Sequence, residues 1–443
     1  MRIEMEENQN TLTKQPSIAP LLAVNFVGTL GFSIVTPFLV VLVSQWGGNA
    51  VVYGILAATY SFFQLFGAPV LGKMSDRTGR RRVLLLSQLG TLASWGIFLL
   101  AFALPGTILL NVQSKWLGDF VVTLPLLVLF AARAADGLTG GNVSVSNAYL
   151  ADITSEQDRA KNFGRMAVSS NLGFVLGPAL AGLLGATVLG PVLPVSAAFA
   201  ISAAALVLMR FGLSETTPRA ITEPLENPTA CDLYGQEHRS AYEIQHRQAN
   251  GFWVILKLPN MTALLAINFL VMLGFSFFYV AFPVHAVQGL GWTVPQIGTY
   301  FAVLSLAMIV VQGPILSRVS DRFEDRQLMG VGGLALAVGF AMLLSGSVVV
   351  IYFSAMLVAL GNGLMWPTFM AVLSQAGGDE LQGAVQGFAQ SAGAIASIVG
   401  LVAGGVLYVS FGAWLFPIAA MVIIASAALA STYQVPPQNL PAT

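Results

Sequence analysis

The chain has 443 residues, 56% hydrophobic and only 9% charged, with 20 basic residues balanced by 20 acidic ones. A soluble domain is about a quarter charged, so this composition is that of a protein crossing a membrane many times. Without a basic excess, nucleic acid is excluded as an expected partner. The single cysteine, Cys231, has no second thiol to pair with.

Residues Met1–Gln15 are polar, with Glu4, Glu6 and Glu7 against Arg2 and Lys14. A cleavable signal peptide starts positive, so the first span is expected to serve as the insertion signal. A span needs about 20 apolar residues, and that ruler finds twelve. The first six are Ile18–Val43, Val52–Leu71, Val83–Leu104, Phe120–Leu150, Phe163–Ala186 and Leu189–Phe211. The second six are Met261–Val287, Gln296–Leu316, Leu328–Leu344, Val348–Leu373, Leu381–Val409 and Ala413–Tyr433. The expected organisation is a tail (1–17), a six-helix half (18–213), a polar linker (214–257), a second half (258–433) and a short tail (434–443). The linker is expected to carry one surface helix near Ser240–Gln248.

Between the second and third spans, Lys73, Arg77, Arg80, Arg81 and Arg82 interrupt the apolar pattern, with Asp76 among them. The pattern predicts a short water-facing turn there, helped by Gly72 and Gly79. Of the 20 basic residues, 18 fall on one side of the predicted membrane, Lys115 falls on the other, and Arg133 lies inside a span. That bias places both termini in the cytoplasm.

The chain repeats itself. Pro69-x-Leu71-x-x-x-Ser75-Asp76-Arg77 recurs as Pro314-x-Leu316-x-x-x-Ser320-Asp321-Arg322, and Asn25-Phe26-x-x-x-Leu30-Gly31-Phe32-Ser33 recurs as Asn268-Phe269-x-x-x-Leu273-Gly274-Phe275-Ser276. The two offsets nearly agree and exceed half the chain, which implies a duplicated half, a mark of secondary transporters.

The Gly72–Val83 run resembles the signature of major facilitator superfamily transporters, and most closely that of bacterial tetracycline and multidrug exporters. Arg133-Ala134-Ala135-Asp136-Gly137 resembles the fourth-helix motif of proton-coupled members. Gly173-x-x-x-Gly177-Pro178-x-x-x-Gly182 resembles the fifth-helix motif of drug–proton antiporters. The resemblance implies an all-α fold of two pseudo-symmetric six-helix bundles that close alternately around a central cavity, working as a monomer in the inner or plasma membrane of a bacterium. It implies no cofactor, with the proton gradient as energy source. Gly72, Asp76, Arg77, Gly79 and Arg80, with Asp321 and Arg322 in the second copy, would form a conformational latch, Asp76 meeting the positive end of the eleventh helix near Asp379–Leu381. The second copy departs at Ser317, Glu324 and Asp325, so its latch is expected to be weaker. In tetracycline exporters the first-helix position is often an aspartate where this chain has Asn25, and helices 3 and 9 carry acids that are absent here. These departures argue against a metal-chelated substrate, and no metal site is expected.

Asp136 alone among the acids sits well inside a predicted span, and Arg133 is one helical turn away. An intramembrane acid is a functional candidate by default. It is either the proton site, tuned by Arg133, or half of a self-neutralising structural pair. His285, the one histidine within a span, is a coupling candidate or a hydrogen-bonded structural residue. Asn25, Gln64, Asn142, Asn147, Asn171, Asn268, Tyr279, Asn362, Trp366, Gln386 and Gln390 supply candidate cavity walls, each alternatively serving as interhelix glue. With few fixed charges, that cavity suits a neutral or cationic amphipathic molecule. Three functions follow: a proton-coupled exporter, an importer of a metabolite such as a sugar, or a sensor built on the carrier fold. No nucleotide loop, metal-ligand cluster or nucleophile–base pair suggests an enzyme.

Overall fold

The computed structural model describes residues 18–140, 142–154, 159–215, 255–376 and 378–431. Both tails, most of the linker with Cys231, and the expected Ser240–Gln248 helix lie outside the described residues. So do the side chains of Asp76, Asn142, Asn171 and Gln386 and the Asp379–Leu381 contact.

Among the described residues, twelve helical rods follow one another. They are α1 (Ala19–Ser33 continuing as Thr36–Gln45), α2 (Ala50–Thr78), α3 (Arg80–Ala103), α4 (Leu124–Thr139 continuing as Asn142–Ile153), α5 (Arg159–Gly185) and α6 (Val192–Gly212). Then come α7 (Met261–Gln288), α8 (Val294–Val310, a wide π turn Val311–Ile315, then Leu316–Val319), α9 (Asp325–Met342), α10 (Val348–Ala376), α11 (Gly378–Phe411) and α12 (Leu415–Ser431). Among the described residues nine segments are by themselves long and apolar enough to span a membrane, one of them running over both α11 and α12. The two rods outside that set are α4, which is interrupted, and α9, whose first turn holds Asp325 and Arg326.

Three expectations are corrected. The basic segment after the second span is not a loop: α2 continues to Thr78, and Gly79 alone, at φ +100°, makes the turn. The predicted fourth helix does not start at Phe120. Residues Ile108–Val112 (β1) and Phe120–Thr123 (β2) pair as an antiparallel hairpin, as their β-branched and aromatic content favours. The helix begins at Leu124 with Pro125 in its first turn, where a missing N–H costs nothing. Finally, α4 breaks after Thr139 instead of running unbroken.

The packing obeys the duplication. In the first half α1 packs on α5 and α6, α3 on α4 and α6, and α2 on α4; in the second α7 packs on α11 and α12, α9 on α10 and α12, and α8 on α10. The halves meet along two seams, α2 on α11 and α5 on α8. Among the described residues the rods are even in number and run alternately up and down, so both ends of the described chain lie on one face of the bundle, the termini face, and the hairpin on the other. One hydrophobic core joins the halves, running from Phe38 and Leu42 of α1 to Phe278 and Phe282 of α7. Its first-half members (Ile34–Val43, Ala50–Leu56, Trp95, Leu126, Ala181 and their neighbours) all come from the hairpin end. The first half's termini end has a separate core around Leu21, Leu84, Val145 and Tyr149. The two halves are therefore closed on each other at the hairpin face.

Candidate functional site

Arg133 and Asp136 are three residues apart on α4 and so share a face. Both are buried, 8% and 6% exposed, with Arg133 NH1 3.6 Å from Asp136 Oδ2. That is an ion pair without a hydrogen bond. The guanidinium instead lies over two aromatic rings, 4.9 Å from the Tyr60 centroid and 5.5 Å from that of Phe32, and its Nε has no hydrogen-bond partner. Thr91 of α3 stands beside Asp136. The pair is thus enclosed by α1, α2 and α3 of its own half.

One turn further on, α4 is interrupted, which frees backbone carbonyls. In a membrane such groups must find partners inside the protein. Ser87 of α3 donates its hydroxyl to the Thr139 carbonyl, and Gln64 of α2 donates to the Gly140 carbonyl at 2.9 Å. The Gln64 amide also lies 3.1 Å from the Tyr60 hydroxyl, so one polar chain links the ring beneath Arg133 to the break. Phe32, Tyr60, Ser87 and Thr91 were missed in the sequence. The available signal was the four-residue spacing of Tyr60–Gln64 and Ser87–Thr91, which puts each pair on one helical face.

The other candidates divide. Asn25 donates to Met166 O (3.1 Å) and Ser170 Oγ (2.6 Å), tying α1 to α5, and its repeat mate Asn268 donates to Ala389 O (2.6 Å), tying α7 to α11. His285 Nδ1 lies 3.2 Å from the Tyr408 hydroxyl, with Phe416 edge-on to its ring. Asn362 points its amide at Met308 Sδ, 4.0 Å away, and Trp366 packs on Phe369. Asn147 is half-buried; Tyr279, 45% exposed, and Gln390 are open.

At the termini face, Arg80 is buried and fully engaged: Nε to Asp152 Oδ2 at 2.9 Å, NH1 to Ser75 Oγ at 2.7 Å. Arg81 takes Glu215 Oε1 on its backbone N–H at 3.0 Å and the Arg210 carbonyl on its guanidinium. The basic cluster thus ties α2 and α3 to α4 and to the end of α6. Gly72 faces open space and Arg77 is exposed. In the second copy Asp321 and Arg322 are exposed, and Asp325 opens α9 as Arg80 opens α3, with the charge reversed. A carboxylate there suits the positive helix end.

The fifth-helix motif serves two interfaces. Gly173 and Gly177 bring α5 against α1 at its own interruption, where Ser33 donates to the Gly173 carbonyl at 2.8 Å. Gly182 meets Gly298 of α8 across the halves, and Pro178 lies one turn before it. At the other seam Gly54 faces the Leu401 carbonyl and Gly405 the Ala50 carbonyl.

Two repeated six-helix bundles, closed on each other at one face and carrying a buried ion pair, have the architecture of a membrane transporter. The Major Facilitator Superfamily profile matches residues 21–268 and again 264–442, once per half, and the chain belongs to that family. It is 28% identical over 368 residues to the class C tetracycline resistance protein of Escherichia coli, covering 82% of this chain and 81% of that one. It is 27% identical to the class B protein of the same organism, covering 87% of each. Among solved structures it is similar to the human organic anion transporter MFSD10 (TM-score 0.63, 21% identity, 93% of this chain and 98% of that one). It is also similar to a D-xylose–proton symporter (TM-score 0.68, 14% identity, 94% and 97%).

Proposed function

We propose that this transporter exports small amphipathic molecules in exchange for protons, from the cytoplasm, where both termini lie, across a bacterial cell membrane. The observation that carries the reading is the buried Arg133–Asp136 pair, held 3.6 Å apart one turn before the interruption of its own helix. When Asp136 is ionised, Arg133 compensates it. When Asp136 takes a proton, the guanidinium is left to the faces of Phe32 and Tyr60, which hold a cation without needing an anion. The polar chain through Tyr60 and Gln64 then relays that change to the break in α4. Similarity to tetracycline resistance proteins supports export of drug-like compounds, and the fifth-helix glycines support a carrier that closes tightly at the outer face. The aromatic rings around the pair and the few fixed charges favour neutral or cationic amphipaths over multiply charged anions. Asp76 and Arg77 are assigned to the latch at the inner face.

Everted vesicles, acid-loaded and followed with a pH dye, test the reading against lipophilic cations, tetracyclines and neutral drugs. Proton efflux on adding a compound, lost in Asp136→Asn, is the expected result. Substrate flux without proton movement would replace antiport by facilitated diffusion, and flux only into the cytoplasmic side would make the protein an importer.

A further inference from the structure

The hairpin between α3 and α4 is not part of the duplication. Residues 104–123 separate α3 from α4, whereas the equivalent connection between α9 and α10 is only 343–347. The root of the hairpin is fixed to the first half: Val121 N–H donates to the Gly47 carbonyl (2.9 Å) and Thr123 Oγ1 to the Trp46 carbonyl (2.9 Å). Its tip reaches the second half. Gly118, at φ +70°, lies so close to the end of α11 that a Cβ there would stand 3.1 Å from Val409 Cγ1.

One side chain sets the height of the tip. Asn49 Oδ1 accepts from the N–H groups of Val51 (3.0 Å) and Val52 (3.2 Å), capping α2, while its Nδ2 donates to the Leu117 carbonyl at 2.7 Å and, at the longer distance of 3.5 Å, to the Asp119 carbonyl. The next residue, Ala50, is where Gly405 of α11 closes the seam. We propose that the hairpin is a clasp holding the two halves together at this face, with the Asn49 amide as its fastening. The inference rests on the alternating-access reading, because a clasp has meaning only if this face opens. For the seam between α2 and α11 to part, the tip must leave Val409. Releasing the Leu117 and Asp119 carbonyls from the Asn49 amide frees it to do so. The clasp biases the carrier towards the state closed at the hairpin face, and it acts from one half only.

The test separates the two jobs of Asn49. Asn49→Asp keeps an acceptor for Val51 and Val52, so α2 stays capped, but it has no N–H for Leu117. A second variant replaces residues 113–119 with Asn-Gly, a two-residue hairpin turn, which keeps the root and removes the tip. In a Cys231→Ser background, Tyr279→Cys reports access to the interior through its labelling rate with a membrane-impermeant maleimide, applied from each side of oriented proteoliposomes. Both variants are expected to label about fivefold faster from the hairpin side, the factor of roughly one neutral hydrogen bond, and more slowly from the termini side. Equal, measurable rates in wild type and variants would overturn the clasp while leaving alternating access standing. Faster labelling from both sides would mean general loosening and would also overturn it. No labelling from the hairpin side in any of the three proteins would overturn the clasp and alternating access together.

Discussion

Gln64 and Gly140 meet where α4 is interrupted: the glutamine amide donates to the glycine carbonyl at 2.9 Å, one turn below Asp136. The contact makes α2 the support for a gap in its neighbour. Gln64→Leu would leave that carbonyl without a partner inside the membrane, which costs about 1–3 kcal/mol. The expected result is a lower melting temperature in detergent and slower transport; Gln64→Asn, too short by one carbon, should behave almost as badly. Full stability of Gln64→Leu would show that the break has another partner.

The Arg133–Asp136 pair predicts a non-additive pattern. Arg133→Gln alone leaves a buried carboxylate uncompensated, a loss of about 3–5 kcal/mol for removing one partner of such a pair. Asp136→Asn adds no unpaired anion, leaves Arg133 on its two rings, and should be the milder change. The double variant should recover much of the stability lost in Arg133→Gln but none of the proton movement. Thermal melting of the four proteins, read as a double-mutant cycle, measures the coupling.

At the seam between α5 and α8, a Cβ on Gly298 would lie 2.6 Å from the Gly182 Cα. Gly298→Val cannot fit without separating the halves, and overpacking of this kind costs about 1–3 kcal/mol in the closed state. The variant should therefore favour the opposite conformation, seen as faster labelling of interior cysteines from the hairpin side. Unchanged labelling would mean that the seam is slack.

His285 is held by Tyr408 and Phe416 rather than by an acid. His285→Asn places an amide nitrogen near the Nδ1 position and should keep both transport and its pH profile. A pH profile shifted by that substitution, with stability unchanged, would return His285 to the coupling machinery.

Much of this was legible because a membrane enforces simple rules. Hydrocarbon excludes charge, so runs of apolar residues marked the spans and Asp136 stood out inside one. What sequence spacing missed came from partners distant along the chain. Nothing around Arg133 announced that Phe32 and Tyr60 would flank it, because those rings arrive on two other helices. The helical continuation to Thr78 was hidden because charged residues form helices readily once outside the lipid. The hairpin was hidden because Phe120–Thr123 is as apolar as a span and differs only in β-branching. Asp152 and Glu215, which engage Arg80 and Arg81, lie 72 and 134 residues away in sequence.

By itself, then, the sequence determined the helical membrane architecture, the duplication, the family likeness and the place of the buried acid Asp136, since each follows from local composition and spacing read against a single solvent boundary. Only the tertiary structure decided that Gln64 braces a broken helix, that Asn49 joins a helix cap to a hairpin, and which face is closed. Those facts depend on helices from different parts of the chain meeting at hydrogen-bond distance, which requires the packed bundle.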